Sequence, residues 1–317
     1  MWFTRSRVTR LRYIGGMWKK ALVLIIGFCF LLSPHAEAAI PNKPAEVSPA
    51  RPPVLFDIPM AYNNDVRKWV RYFQTRGRGH FQKWLERSHR HLPMIQGILS
   101  EQGLPRDLAY MAMIESGFYP YAKSHAAAVG PWQFMKPTGL QYGLKVSWWI
   151  DERRDFEKST YAASRYLKFL YSVFRAWHLV AAGYNAGENY VLRKLTRHQT
   201  DNFWTLAARG ALYDETKEYV PKLIAATLIS KAPSLYGFRQ LQLESPIESD
   251  SFMAPGGTDL KRLANHLGVT HKHLADLNPD LLVGYIPESV SQHRIRIPKG
   301  SSSVVAAYFR KTIASNP

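Results

Sequence analysis

Pro105-Arg106-Asp107-Leu108-Ala109-Tyr110-Met111-Ala112-Met113-Ile114-Glu115-Ser116-Gly117 is the stretch on which the reading of this chain turns. Pro105 suits a first helical turn, where the N–H it lacks would have no partner. Leu108, Met111, Ala112 and Glu115 then recur at i, i+3, i+4 and i+7, so the pattern predicts a short helix with a carboxylate on its apolar stripe. Burial disfavours the anion. Holding a Glu protonated near neutral pH takes roughly 2.7 kcal/mol, two pH intervals of about 1.36 each. A carboxyl raised in this way can act as a general acid. Spacing alone leaves a plainer reading open, in which Glu115 lies at a fraying helix end, bonded to a nearby Lys, Arg or backbone amide.

Outward from this stretch, the helical pattern runs from Asp65 to about Ser230. Gly103 ends the run that holds Ile95, Ile98 and Leu99. Ala162, Tyr166, Phe169, Leu170 and Val173 mark one apolar face of a later helix, which core packing explains. Pro221 reads as the start of another helix, continuing through Leu223, Ile224, Thr227 and Leu228. Asp151-Glu152-Arg153-Arg154 reads as a solvated turn. No strand pattern competes, so residues 61–238 are expected to form an all-α domain. After Pro233 the segments shorten around Pro246, Pro255, Gly256 and Gly257, and Arg294-Ile295-Arg296-Ile297 alternates. A small α+β module is expected over 239–300, followed by a C-terminal tail at 301–317. The fold class expected for the whole chain is therefore mainly α.

At the other end, Arg5, Arg7, Arg10, Arg12, Lys19 and Lys20 precede an apolar run from Ala21 to Leu32, and Ala36-Glu37-Ala38 follows. This is the three-part pattern of a secretory signal peptide over residues 1–38, with Met17 opening a shorter version of it. The run is short of the roughly 18 residues a stable membrane span requires. Cys29, the only cysteine, lies inside the run behind Phe28, a poor context for lipidation, and cleavage would leave no cysteine. Residues 39–60 hold six prolines and read as a linker. Cleavage after Ala38 takes the formal charge from +18 to +13. An exported chain this basic is expected in the periplasm or cell envelope, attracted to wall carboxylates, other anionic envelope polymers or a membrane surface. Arg67, Lys68, Arg71, Arg76, Arg78, Lys83, Arg87 and Arg90 would also suit nucleic acid, but export and a solvated basic face argue against that partner. His89 and His91 show no zinc-ligand spacing and read as surface residues, so neither a metal nor a cofactor is expected. Oligomeric state is not legible.

Glu115-Ser116-x-Phe118-x-Pro120-x-Ala122-x-Ser124, Gly130-x-Trp132-Gln133, Gly183-Tyr184-Asn185-Ala186-Gly187 and Glu215-Thr216-x-x-Tyr219-Val220-Pro221-Lys222 follow in order along residues 65–238. With them the chain resembles the lytic transglycosylases of goose-lysozyme-like (SLT) fold, most closely the membrane-bound lytic murein transglycosylase D group. The resemblance implies a lysozyme-like domain acting on peptidoglycan glycan strands, with Glu115 as catalytic acid/base and Ser124 beside the substrate N-acetyl group. It also implies that Gln133, Tyr184 and Asn185 line the glycan groove and that Tyr219 hydrogen-bonds the catalytic carboxyl. Ser124 as a cap, Gln133 as a turn residue and Tyr219 as a core aromatic remain the structural alternatives. Pro131 and Ala127 depart from the family pattern, and Pro131 removes one backbone donor from the groove wall.

Glycosidases commonly pair two carboxyls, yet no Asp or Glu occurs from Ser116 to Ile150. The expected reaction is therefore a non-hydrolytic cleavage by one Glu, leaving 1,6-anhydro ends. A hydrolysing lysozyme of the same fold and an inactive wall-binding scaffold are the alternatives. Thr258-Asp259-Leu260, Leu263, Leu267-Gly268-Val269, Leu274-x-x-Leu277-Asn278-Pro279 and Ile295-x-Ile297-Pro298 resemble a degenerate LysM-type peptidoglycan-binding module. Its usual first strand is expected to be replaced by Ala254-Pro255-Gly256-Gly257, so the module reads either as a glycan binder or as a structural appendage.

Overall fold

The computed structural model describes residues 55–314. The segment read as a signal peptide and most of the segment read as a linker lie outside these residues. The linker's last residues do not run free: Ile58 is buried in the helical core, and the Asp57 carboxylate accepts from the backbone N–H groups of Arg106 (2.6 Å) and Asp107 (2.9 Å). Asp57 thereby caps the 3₁₀ turn Arg106–Leu108 that leads into the decisive helix.

Helices α1 (Asn64–Gln74) and α2 (Arg78–Glu101) come first, then α3 (Ala109–Ser116) and α4 (Lys136–Gln141). They are followed by α5 (Phe156–Phe174), α6 (Trp177–Ala186), α7 (Glu188–His198), α8 (Phe203–Ala208) and α9 (Asp214–Lys231). Asn63 caps α1, Asp155 caps α5 and Asn202 caps α8, each side chain accepting a first-turn N–H. The pivot of the domain is α3, which packs against α2 and α9. Every residue from Ala109 to Ile114 is buried, so α3 has no single apolar stripe and is surrounded on all sides. Glu115 and Ser116 are the first of its residues to reach partial exposure.

Several sequence expectations are corrected by the packing. Phe169 is 41% exposed while Ala163, Leu167 and Phe174 join Ala162, Tyr166 and Leu170 in the core, so the buried face of α5 is rotated from the expected stripe. Pro221 does not open a helix; it lies inside α9, which begins at Asp214. A proline there leaves one carbonyl a turn earlier without its amide partner, a defect that burial of the flanking Tyr219, Val220, Leu223 and Ile224 outweighs. Asp151, Glu152 and Arg153 are buried rather than solvated. His91 is also buried, stacked on Phe156 with ring centroids 3.6 Å apart, and His293 is 3% exposed; His89 is exposed as expected.

Beyond Phe238 the chain builds a second core. Strands β1 (Ser249–Pro255) and β2 (Gln292–Pro298) pair antiparallel, Phe252 opposite Ile295, and enclose α10 (Leu260–His266) and α11 (His271–Leu277). The first strand expected to be missing is therefore present and ends at Pro255. The segment read as a tail contains α12 (Ser302–Ala314), whose Val305 and Phe309 are buried with Leu260, Leu263, Ile295 and Ile297. Spacing of four residues puts Val305 and Phe309 on one helix face, and the sheet gives that face something to cover.

The two cores are joined. Ile150 belongs to the second one, the Asp151 N–H donates to the Asp280 carbonyl at 2.8 Å, and the Leu282 N–H donates to the Trp149 carbonyl at 2.9 Å. Lys158 of α5 sits among Glu152 (3.0 Å), Asp280 (2.9 Å) and His293 Nε2 (3.3 Å). Those three side chains have the mutual spacing of a metal cage, but the ammonium of Lys158 already supplies the positive charge at its centre.

Candidate active site

Glu115 stands at the end of α3, and the backbone leaves the helix there through Gly117 at φ +60°. A Cβ on Gly117 would overlap the Trp84 indole, so the turn needs glycine for both conformation and space. Ser116 Oγ donates to the Pro131 carbonyl at 2.9 Å and receives the Tyr119 N–H at 3.2 Å, tying the two arms of the following loop together. Pro131 thus lacks a donor, yet its carbonyl serves as an anchor.

The loop from 117 to 134 carries unusual backbone. Phe118, Ala127 and Gln133 all have positive φ, at 56°, 63° and 49°. Such conformations persist only where the surroundings impose them. At Ala127 and beside Gln133 the buried Arg153 does so: Nη1 donates to the carbonyls of Phe134 (3.1 Å) and Ala127 (3.3 Å), while Nε and Nη2 form a two-pronged pair with Asp151 at 2.9 and 2.8 Å. Gly130 lies so close to the Arg153 carbonyl that no side chain fits. The segment taken for a solvated turn is the internal brace of the loop.

Around the carboxyl, Tyr219 Oη donates to Glu115 Oε1 at 2.6 Å. Lys222 Nζ donates to the Ile114 carbonyl at 3.1 Å and lies 5.8 and 6.0 Å from the ring centres of Trp69 and Trp84. Burial raises the Glu115 pKa to about 7. The Tyr219 hydrogen bond and the Lys222 charge pull it down, and Glu215 pushes it up, but desolvation is the largest influence. Burial also lowers Lys222, against the opposing pull of Glu115 and Glu215. Tyr219 and Tyr184 are both held well above the ordinary tyrosine value, first by burial and then by Glu115, so both remain neutral hydroxyl donors.

The remaining sequence-predicted residues fall into two groups. Tyr184 Oη donates to the Trp132 carbonyl at 2.7 Å, and Asn185 donates from Nδ2 to Glu215 Oε1 at 3.0 Å while its Oδ1 accepts from Thr216 Oγ1 at 2.9 Å. These two belong to the network around Glu115. Gln133 donates from Nε2 to the carbonyls of Gly130 (2.8 Å) and Ala122 (3.3 Å), and Ser124 Oγ accepts the Ala128 N–H at 3.1 Å. Both shape the loop, with Ser124 exposed. Sequence reasoning quoted Glu215 and Lys222 only as motif members and read Arg87 as part of a solvated basic face, whereas its Nη1 donates to the Gly117 carbonyl at 2.6 Å. Glu215, Tyr219 and Lys222 occupy i, i+4 and i+7 of α9, a face hidden by the assumption that a helix starts at Pro221.

What this arrangement can do chemically is protonate an acceptor. A carboxyl titrating near neutrality, with a buried phenol fixing one oxygen, can give a proton and then accept one back. The region 94–207 matches the family described as the transglycosylase SLT domain, and residues 248–311 match the LysM-like domain of lytic transglycosylase MltD. Over 193 residues the chain is 33% identical to the membrane-bound lytic murein transglycosylase D of Escherichia coli (strain K12), an alignment covering 56% of this chain and 42% of that protein. The chain thus spans under half the length of that relative. The 70 kDa soluble lytic transglycosylase SLT70 of Escherichia coli is similar over 57% of this chain and 33% of its own, at 18% identity and a TM-score of 0.41. For the lytic transglycosylase Slt of Pseudomonas aeruginosa the values are 49%, 25%, 22% and 0.38. The SLT match contains Glu115, Ser124, Gln133, Tyr184 and Asn185 and stops before α9, which delivers Tyr219 and Lys222. The chain therefore carries a transglycosylase SLT domain followed by a lytic transglycosylase MltD LysM-like domain.

Proposed function

We propose that this protein is an exported peptidoglycan lytic transglycosylase of the cell envelope, cutting the β-1,4 bond between N-acetylmuramic acid and N-acetylglucosamine. The observation that carries the reading is the Glu115 carboxyl, raised to about 7 by burial and gripped by Tyr219 within an SLT domain. Protonated Glu115 donates to the glycosidic oxygen as the bond to C1 breaks, and the N-acetyl group of the same sugar stabilises the cation that forms. The resulting carboxylate takes the proton of the C6 hydroxyl, whose oxygen bonds C1 and closes a 1,6-anhydro ring. The proton returns to Glu115, and no water is consumed. In this reading Ser124 lies beside the N-acetyl group and Gln133, Tyr184 and Asn185 border the glycan groove. Among the described residues no helix is long and apolar enough to cross a membrane.

One observation favours the hydrolytic alternative. Glu215, exposed and held by Asn185, is close enough to raise the Glu115 pKa and could activate a water in the manner of a paired carboxylate. Mass spectrometry of digested sacculi separates the two: anhydro ends support the single-acid reading, and hydrated reducing ends refute it. An active Glu115→Gln protein would refute the assignment of the acid, and a wild-type protein that binds sacculi without cutting them would leave only the scaffold.

A further inference from the structure

A cavity of about 440 Å³ opens between the helical domain and the LysM-like module, where the loop after Glu115 meets α2 and α11. One wall is Arg87, Met94, Tyr119 and Tyr121; the facing wall includes Lys272 and Arg296. Its volume falls in the range of about 300–1,000 Å³ typical of small-ligand sites. It adjoins the loop that follows Glu115: Tyr119, Pro120 and Tyr121 line it, and Arg87 both lines it and donates to the Gly117 carbonyl, two residues after Glu115.

The charges in this cavity are unevenly committed. Each acid on its wall is already engaged: Glu244 with Arg90 (3.3 Å), Asp276 with Lys272 (2.5 Å), and Asp155 as the cap of α5, accepting the Lys158 N–H. Arg296 pairs with Glu157 at 2.5 Å. Arg87 differs: among the described residues no carboxylate pairs with it, and its guanidinium lies 5.3 Å from the Tyr119 ring centre. Buried His91 registers the field, its pKa lowered to about 3 by burial and then by Arg90, Arg87 and Arg296. A partly buried guanidinium with free donors, next to two half-exposed tyrosines and an apolar floor of Met94, Phe156 and Leu277, is matched to a carboxylate on a compact, partly apolar body.

We propose that this cavity is a second binding site, shared by the SLT domain and the LysM-like module, for the carboxylate-bearing peptide branch of the substrate. The proposal rests on the glycan-cleaving reading above, since a peptide attached to a sugar at Glu115 would extend past Tyr119 into the cavity. Recognition would come from Arg87 on the carboxylate and from the tyrosine rings on the peptide body, with Lys272, paired to Asp276, adding only its charge to the wall. In this arrangement the module does not anchor the protein at a distance; it completes the site.

The test is calorimetric titration of the full chain with a free wall tetrapeptide, with its fully amidated counterpart and with inorganic phosphate. Met94→Trp fills the cavity, and Lys272→Glu, at an exposed position, reverses a wall charge. Saturable binding of the acid peptide, at least tenfold weaker binding of the amidated form and at least fivefold losses in both variants are expected. Equal affinity for acid and amidated peptides, unchanged affinity in both variants, absence of binding, or equal competition by phosphate would each overturn the proposal. Peptide binding by a protein that cuts no glycan would leave the site standing and refute the function proposed above, whereas glycan cleavage without peptide binding would do the reverse.

Discussion

Replacing Glu115 by Gln should make the protein more stable, and increasingly so as the pH rises. In the folded chain burial holds the carboxyl at about 7, against an ordinary value of 4.5. Below pH 4.5 the group is protonated folded or unfolded, and the difference contributes nothing. Between 4.5 and 7 the unfolded chain releases its proton while the folded chain retains it, so unfolding gains about 1.36 kcal/mol per pH interval. Above 7 both forms ionise and the penalty levels off at about 3 kcal/mol, of which less than about 1 kcal/mol is present at pH 5. Gln keeps the shape and an acceptor for Tyr219 but has no charge to desolvate. At pH 8 a gain of this size corresponds to a rise of about 5–10 °C in Tm for a domain of this size. Urea unfolding of both proteins at pH 5 and pH 8 measures it. A difference in stability that is the same at the two pH values, or of opposite sign, would show that the carboxyl is solvated in the folded protein and would remove the physical basis for its role as an acid.

Three further outcomes are expected. Tyr219→Phe removes the hydrogen bond that lowers the Glu115 pKa, so the fall in kcat/KM on the alkaline side should move to higher pH, with a rate loss of about 10–100-fold typical of a misplaced acid; an unshifted pH profile would assign Tyr219 to the core alone. Arg153→Met leaves Asp151 buried without its partner and releases the carbonyls of Ala127 and Phe134, and should destabilise the fold by about 3–5 kcal/mol in denaturant titration. Gly117→Ala places a Cβ against Trp84 at a positive φ, and should lower stability by at least about 1–3 kcal/mol while reducing activity through displacement of the Glu115 turn.

Much of the helical domain is legible because its determinants are local. Gly103 and Pro105 frame the entry to α3, and Asn63, Asp155 and Asn202 stand where helices begin. The motif Gly183 to Gly187 likewise maps onto the end of α6. The misreadings share a cause. Pro221 is a poor helix residue by local rules, and Arg153 and Asp151 are poor core residues, but each is outweighed by contacts with distant parts of the chain. The apolar spacing in α12 lacked a visible partner because the sheet it covers is formed by strands that begin 43 residues apart and pair only on closure of the module.

The sequence by itself determined that a carboxylate stands on the apolar stripe of a short helix, that polar and aromatic motifs follow it in order, and that a second small module comes after. Only the tertiary structure decided that Tyr219 and Lys222 flank the carboxyl from one face of α9, that Arg153 braces the strained loop, and that the module borders the same region. Periodicity and capping act within a few residues and can be read along the chain. The solvation of Glu115, and with it an acid poised near neutral pH, depends on groups about a hundred residues away, and is fixed only when the helices close around it.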